Sequence, residues 1–443
     1  MDGYRAKAIE TLKKIFKDKS YSNIVINNDI KAVDERQHAI FRKSVLGVVE
    51  NIMFIDWIIN QVSSTKTKKM ETDVLTVLRL AVYQLFFLDN SHENIVVNES
   101  VQYIKDAGNV RASKFVNAVL RNASRQKEDI LKKADELPLE EKLSIKYSYP
   151  PELVRRWTAQ FGKHNIEEVL KSNNDEARLE ARVNTLKVSR EKLIEMLASK
   201  GINAEKTRYS KKGITILNPS DIDRTEEYRS GLFSIQSESS MLAGEVLNPL
   251  PGSYLVDMCA APGGKSLNAA EIMKNTGTVL SRDIYSAKLS LIERERDRLG
   301  ITCLKTEEYD ATRLDERLIE KADFVIADVP CTGLGIIRRK PEIKYSKTDS
   351  DMKDIVKIQY RILENASRYL KKGGHLVYST CTTNREENLD LVKRFIQENR
   401  GFELEDFSDL VHEGFESAKS GYMEIYPHVH GMDGFFIAKI TRI

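Results

Sequence analysis

Two cysteines in the second half of the chain stand where a thiol can do chemistry. Cys331 follows Asp328-Val-Pro, and Cys381 lies in Ser379-Thr-Cys-Thr382. Each comes at the end of a run with strand-forming residues, Phe324-Val-Ile-Ala before the first and His375-Leu-Val-Tyr before the second. Open α/β sheets bind ligands beyond the carboxyl ends of their strands. Adjacent strands ending together would bring both thiols to one cleft, where a thiolate is a nucleophile. Either cysteine alone reads as an inert core residue. Two at matching strand ends, one preceded by Asp-x-Pro, read as a site. With Cys259 and Cys303 the cysteines number four, without a Cys-x-x-Cys pair or a His spacing suited to zinc. Structural disulfides and a metal site are therefore not expected, and a reduced, cytoplasmic setting is.

A second chemical feature lies upstream, in Ser253-Tyr-Leu-Val-Asp-Met-Cys-Ala-Ala-Pro-Gly-Gly-Lys-Ser266. Strand formers give way abruptly to small residues, and a helical pattern follows from Asn268. This strand, tight loop and helix form the unit that opens a nucleotide-binding α/β sheet. Ala260, Ala261, Gly263 and Gly264 carry almost no side chain, so a ligand can approach the backbone and the start of the helix. A phosphate-binding loop would need a glycine where Cys259 stands, and the Gly-x-Gly-x-x-Gly dinucleotide fingerprint is absent. Asp283 closes a predicted strand, Gly277–Asp283, 26 residues after Asp257. That is near the spacing at which a second strand presents a carboxylate to ribose hydroxyls; a surface Asp capping the next helix is the plainer alternative. Asp310 follows a third predicted strand, Ile301–Leu304, and taken alone is an unremarkable loop acid.

The run Asp257-Met-Cys-Ala-Ala-Pro-Gly-Gly-Lys265 resembles the cofactor loop of S-adenosylmethionine-dependent RNA cytosine-C5 methyltransferases. Asp328-Val-Pro-Cys-Thr-Gly and Ser379-Thr-Cys-Thr, with Glu386-Glu387-Asn388 beyond, resemble the two cysteine motifs of that family. Many members carry Ser where Thr332 and Thr382 stand, a change that retains the hydroxyl. Arg338-Arg-Lys-Pro-Glu-Ile-Lys344 and Gly431-Met-Asp-Gly-Phe-Phe436 match as well. Val77-Leu-Arg-Leu-Ala-Val-Tyr-Gln-Leu85, Ile95-Val-Val-Asn-Glu-Ser-Val101 and Phe115-Val-Asn-Ala-Val-Leu-Arg121 resemble a NusB-type RNA-binding helical domain. The resemblance spans nearly the whole chain and points to bacterial 16S rRNA cytosine-C5 methyltransferases of the RsmB type, which modify position 967.

What the resemblance implies is specific. Cys381 attacks carbon 6 of cytosine, making carbon 5 enamine-like and able to accept a methyl group. Cys331 helps remove the carbon 5 proton, and Asp328 hydrogen-bonds the cytosine edge at nitrogen 3. Lys265 helps hold the cleft, or is simply a solvated loop lysine. Cys259, Ala260, Ala261, Pro262, Gly263, Gly264 and Lys265 form the cofactor loop; Asp283 meets the ribose, Asp310 the adenine amino group, and Asp328 borders the same ligand. The target base has to be unstacked to expose one face to the thiol.

Positioning these groups is the work of the rest of the chain. At 443 residues, there is room for about three domains of roughly 150 each. A net charge of +3 permits a nucleic-acid partner without establishing one. The start, Met1-Asp-Gly-Tyr-Arg-Ala-Lys7, opens no signal peptide, and no apolar run is long enough to span a bilayer. Residues 1–140 read as all helix. Val74, Leu78, Ala81, Leu85 and Leu88 form a stripe that Val77, Val82 and Phe86 widen, so the helix from Glu71 to Asp89 is expected at a bundle centre. Helices are predicted from near Asn98 and from Ser113, with Ser63–Lys69 and Asp89–His92 as turns. Arg111, Lys114, Arg121 and Arg125 form either a phosphate-facing surface or a solvated helical face.

Residues 141–240 alternate strand and helix as an α+β connector, with strands at Arg178–Leu186 and Gly213–Leu217 and a helix at Arg190–Lys200. Arg182-Val-Asn-Thr185 and Phe233-Ser-Ile-Gln-Ser-Glu238 resemble the family's pre-catalytic segment, with Ser237 where many members carry Asp. Residues 241–443 are expected to form a doubly wound, Rossmann-like class I methyltransferase sheet. Arg338, Arg339 and Lys340 are either phosphate contacts or a flexible basic loop, and His428 and His430 are read as local packing. The expected enzyme is a monomer acting on 16S rRNA or a small-subunit assembly intermediate, away from membranes. Two other readings are a non-catalytic NusB-like RNA-binding or antitermination factor, and a nucleotide hydrolase suggested by Gly264-Lys265-Ser266.

Overall fold

The computed structural model describes residues 3–18, 22–89, 91–218, 222–346 and 349–443. Met1 and Asp2 of the N-terminal segment and Asn90 of the predicted Asp89–His92 turn lie outside the described residues. The chain divides into two compact units: Met1–Asp175 with Ile337–Ser346, and Glu176–Ile336 with Lys347–Ile443. Among the described residues, no single helix is long and apolar enough to cross a membrane.

The first unit is helical. Its helix Thr72–Phe87 buries Val74, Val77, Leu78, Leu80, Ala81, Val82 and Leu85. A helix apolar on so many sides has to be surrounded, and it packs against helices Gly3–Asp18, His38–Glu50, Glu93–Asp106 and Val110–Arg125. The helix predicted to start near Asn98 begins at Glu93, because Val96 and Val97 already point into the core. The next begins at Val110 rather than Ser113, where Asn109 Oδ1 accepts from the Ala112 N–H at 3.0 Å. Arg111, Lys114, Arg121 and Arg125 all stand exposed on that helix.

Segment Ile337–Ser346 is chemically fastened into this unit. The Arg338 guanidinium donates to the Ser172 carbonyl oxygen at 2.6 Å. Lys344 Nζ donates to the Glu50 and Tyr147 carbonyl oxygens at 3.2 and 3.3 Å and lies 4.2 Å from the centre of the Tyr149 ring. Burial pushes the Lys344 ammonium down to about 7. The flexible basic loop considered for Arg338–Lys340 is thus replaced by a half-buried, anchored segment.

The second unit starts with a small antiparallel sheet. Strands β1 (Leu179–Val183), β2 (Ala204–Lys206), β3 (Gly213–Ile216) and β4 (Phe233–Ile235) take the order β2-β3-β1-β4. Helix Arg190–Ser199 contributes Leu193 and Leu197 to its core with Ile214, Ile216 and Phe233. Strands β2 and β4 have three residues each, too short for an alternating pattern to reveal.

The main sheet comprises β5 (Tyr254–Asp257), β6 (Thr278–Asp283), β7 (Leu304–Glu308), β8 (Ala322–Asp328), β9 (Leu370–Thr380), β10 (Phe402–Leu404), β11 (Tyr422–Ile425) and β12 (Phe435–Arg442). Its order is β10-β12-β9-β8-β5-β6-β7, with β11 beside β12; β5 to β9 pair in parallel and β12 joins β9 antiparallel. The chain leaves β5 towards β6 on one side and later returns to β8 on the other. That reversal opens a crevice at the carboxyl ends of β5 and β8. The third parallel strand lies at Leu304–Glu308 instead of Ile301–Leu304. Ahead of it, the N–H groups of Thr302 and Cys303 are taken by Asn275 Oδ1 at 2.8 and 3.2 Å, a turn rather than a ladder.

Candidate active site

The two cysteines meet. Strands β8 and β9 run side by side with Asp328 opposite Ser379, and the chain turns away from each immediately afterwards. Cys331 Sγ and Cys381 Sγ lie 3.2 Å apart, both half-buried. A thiol hydrogen bond to Cys381 and burial hold the Cys331 proton on well above the usual cysteine range, with the charges of Glu387 and Asp328 adding to the effect. Either sulfur can donate in this contact, so the two thiols form one hydrogen-bonded pair.

Backbone approach keeps these loops in place. The Gly335 N–H donates to the Cys381 carbonyl oxygen at 3.0 Å, and the Gly434 N–H donates to the Gly335 carbonyl oxygen at 2.8 Å. A Cβ at Gly335 would lie 2.0 Å from the Gly434 carbonyl oxygen, so no larger residue fits without moving a strand end. Gly335→Ala is expected to cost about 1–3 kcal/mol of stability by overpacking and to slow the reaction of both thiols with an alkylating reagent. Chemical denaturation and mass-spectrometric labelling check this.

Asp328 and Lys265 face the same crevice. Lys265 Nζ donates to Asp328 Oδ2 at 2.7 Å, Ser379 Oγ donates to Asp328 Oδ1 at 2.7 Å, and the ammonium lies 5.0 Å from the centre of the Phe435 ring. Lys265 is therefore a paired lysine, with only 11% of its side chain exposed, and not a solvated one.

The loop from Cys259 to Gly264 crosses the ends of β5 and β6. The Ala260 N–H donates to the Arg282 carbonyl oxygen at 2.7 Å, and the Ala261 N–H to Asp283 Oδ2 at 3.2 Å. The Ala261–Pro262 bond is cis. Gly263 takes φ +105°, and a Cβ there would press on Ile292 at 3.1 Å, so this turn needs glycine on two counts. Burial raises the Cys259 thiol far above its ordinary range, and the charges of Asp257, Asp328, Asp283 and Asp310 push the same way. Four carboxylates thus bear on one small-residue loop. Asp310 itself is held low by the Thr312 hydroxyl, which donates to Oδ1 at 2.7 Å.

Asp257, under this loop, is 1% exposed. Burial pushes its carboxyl up to about 7 from 3.8, although the Ser266 hydroxyl donates to Oδ2 at 2.5 Å. Oδ1 has no hydrogen-bond partner. Between pH 4 and 7 the native state binds a proton here that the unfolded chain does not, so this group's contribution to stability falls as pH rises through that window. Asp257→Asn is expected to be increasingly more stable than the parent from pH 4 to pH 7, reaching a difference on the order of 2–4 kcal/mol, and constant above. Urea unfolding of both proteins across that range measures it.

Comparison with known proteins fits this arrangement. The family model for 16S rRNA methyltransferase RsmB/F matches residues 244–441, the NusB family model residues 3–125, and a ferredoxin-like domain model of RsmF/B-like methyltransferases residues 149–223. The probable ribosomal RNA small subunit methyltransferase B of Bacillus subtilis is 34% identical over 98% of both chains. The chain belongs to the ribosomal RNA small subunit methyltransferase B family. The 28S rRNA (cytosine(4447)-C(5))-methyltransferase of Homo sapiens is 32% identical over 73% of this chain and 42% of its own. Among solved structures, NSun6 from Pyrococcus horikoshii with SFG is 25% identical with a TM-score of 0.60, over 66% of this chain and 98% of that one. This chain combines the helical NusB domain with the Rossmann-like sheet described above.

Within this methyltransferase family fold, sequence reading assigned no role to one buried contact. Arg182 and Glu271 are fully buried and paired through two hydrogen bonds, Nε to Oε2 at 3.0 Å and Nη2 to Oε1 at 2.8 Å. Arg182 Nη1 also donates to the Gly264 carbonyl oxygen at 2.9 Å and to Gln236 Oε1. The small sheet thereby grips the helix that carries the glycine loop. Ser237 starts helix Glu238–Leu247 without a side-chain cap, and the neighbouring Glu238 accepts from the Tyr209 and Ser210 N–H groups at 2.5 and 2.8 Å. His430 stacks on Phe415 at 5.0 Å, in keeping with a packing role. Among the described residues no group of His, Cys, Asp and Glu is disposed to hold a metal ion.

Proposed function

We propose that the chain transfers a methyl group from S-adenosylmethionine to carbon 5 of a cytosine in 16S rRNA, the equivalent of position 967, through a covalent bond between Cys381 and carbon 6. The observation that carries this reading is the 3.2 Å thiol pair at the ends of two parallel strands. When bound, S-adenosylmethionine supplies an electrophilic methyl on a sulfonium. The site suits it: the loop Cys259–Gly264 is small enough for close approach, and Asp283, Asp310 and Asp328 bear on it with the negative charge a cationic, hydroxyl-bearing ligand favours. Asp283 is assigned to the ribose hydroxyls and Asp310 to the adenine amino group. The relative solved with SFG, an S-adenosylmethionine analogue, supports S-adenosylmethionine as the cofactor.

Cys381 attacks carbon 6 as a thiolate, and Asp328, steadied by Lys265 and Ser379, holds the cytosine edge at nitrogen 3. Carbon 5 then takes the methyl group. With Cys381 bonded to carbon 6, the thiol hydrogen bond that held the Cys331 proton is lost; Cys331 gives that proton to solvent and, as a thiolate, accepts the carbon 5 proton as carbon 6 releases the Cys381 sulfur. The balance is one proton released per methyl transferred. In this reading residues 1–140 bind RNA, 141–240 form the connector and 241–443 carry the chemistry. The enzyme works as a monomer in the cytoplasm on free 16S rRNA or a small-subunit assembly intermediate.

Bisulfite mapping of 16S rRNA from cells with and without the protein tests the proposal. One protected cytosine is expected to become convertible when the protein is removed. An unchanged map, with no tritiated methyl incorporation into under-methylated small-subunit rRNA, would favour the non-catalytic RNA-binding factor.

A further inference from the structure

Each cysteine is followed by a threonine, and both threonines turn to the same buried carboxylate. Glu387 is 0% exposed, in the short helical turn after β9. Its Oε2 accepts from the Thr332 N–H and from Gln359 Nε2, both at 2.9 Å. Its Oε1 accepts from the Thr332 hydroxyl at 2.5 Å and from Asn384 Nδ2 at 3.0 Å. The Thr382 hydroxyl donates to the same Oε1 at 3.5 Å, and Thr332 Oγ1 and Thr382 Oγ1 lie 2.8 Å apart. Gln359 Nε2 also donates to the Pro330 carbonyl oxygen at 3.0 Å, next to Cys331.

We infer that Glu387 is a positioning residue of the reaction: it cross-links the Cys331 loop to the Cys381 loop and sets the separation of the two thiols. The inference rests on the two-thiol reading above and adds to it the group that keeps the thiols in register. A buried carboxylate is costly unless each lone pair is used, and here five donors, three of them N–H groups, converge on it. None of those donors is cationic, so the charge is left unneutralised beside Cys331. The groups acting on that thiol are Cys381, Glu387 and Asp328, and the last two both favour its protonated form. An uncharged apolar residue would fill the same volume without joining the loops. The carboxylate therefore serves geometry more than stability.

Glu387→Gln tests this, because the amide keeps the size but turns one acceptor into a donor facing donors. Turnover is expected to fall about 10-fold or more with the KM values for RNA and cofactor unchanged within about 2-fold, since neither ligand touches Glu387. A covalent protein–RNA species is expected to accumulate, resolved on a denaturing gel, because a displaced Cys331 delays release. Glu387→Asp, one methylene short of bridging both loops, is expected to show the same split. Unchanged turnover in a folded Glu387→Gln protein would overturn the inference. So would losses of turnover and of both affinities that track a fall in melting temperature. Should Cys331→Ser itself form no adduct while Glu387→Gln still lowers turnover alone, the positioning role stands and the assignment of the release step fails.

Discussion

Cys381→Ser is expected to abolish methyl transfer, with a loss on the order of 10,000-fold or more, whereas Cys331→Ser is expected to stall after attack and accumulate a covalent protein–RNA adduct. A serine hydroxyl is a poor nucleophile without a base to activate it. Cys381 has as its neighbour a thiol that holds its own proton. With Cys331 replaced, Cys381 still reaches carbon 6 and the methyl is still accepted, but the carbon 5 proton has no nearby base and the carbon–sulfur bond persists. Denaturing gels with labelled RNA, run beside tritiated methyl incorporation, separate the two outcomes. If the adduct forms with Cys381→Ser and not with Cys331→Ser, the roles are exchanged while the reaction class stands. If neither forms it and both retain activity, covalent catalysis through this pair is wrong.

The second large effect concerns stability. Glu271→Ala leaves the Arg182 guanidinium buried with no carboxylate, and both side chains are fully enclosed in the parent. Breaking such a pair from one side costs about 3–5 kcal/mol, since the remaining charge is neither solvated nor neutralised. Replacing both with methionine is expected to recover most of that loss, because the desolvation of two charges is removed along with their attraction. The double variant is nevertheless expected to bind S-adenosylmethionine more weakly, as the Gly264 carbonyl oxygen loses the donor that steadies the glycine loop. Urea unfolding measures the first two results and calorimetric titration the third. A double variant as unstable as Glu271→Ala would show that the pair contributes more than its own neutralisation.

The Asp257 and Glu387 expectations share one cause with these. Each concerns a carboxylate enclosed in the core of the catalytic sheet, and in each the surroundings decide which state it keeps. Asp257 has one oxygen unpartnered and is driven towards its neutral form. Glu387 has five donors and spans two loops.

The amino-acid sequence by itself determined the chemistry-bearing residues and the kind of element each sits on. Local alternation and local composition marked β5, β6, β8 and β9, the glycine loop, the central helix Thr72–Phe87 and both cysteine motifs, because periodicity and small-residue turns are properties of neighbouring residues. Only the tertiary structure decided the 3.2 Å approach of the thiols, which follows from β8 and β9 pairing across 50 residues of chain. It also decided that Ile337–Ser346 joins the helical unit, that Arg182 meets Glu271 across 89 residues, and that Glu387 ties the two cysteine loops. Those pairings bring together groups far apart in the chain, where burial makes each unmet hydrogen bond or charge expensive. No local pattern records such a cost; it exists only once the core has closed around it.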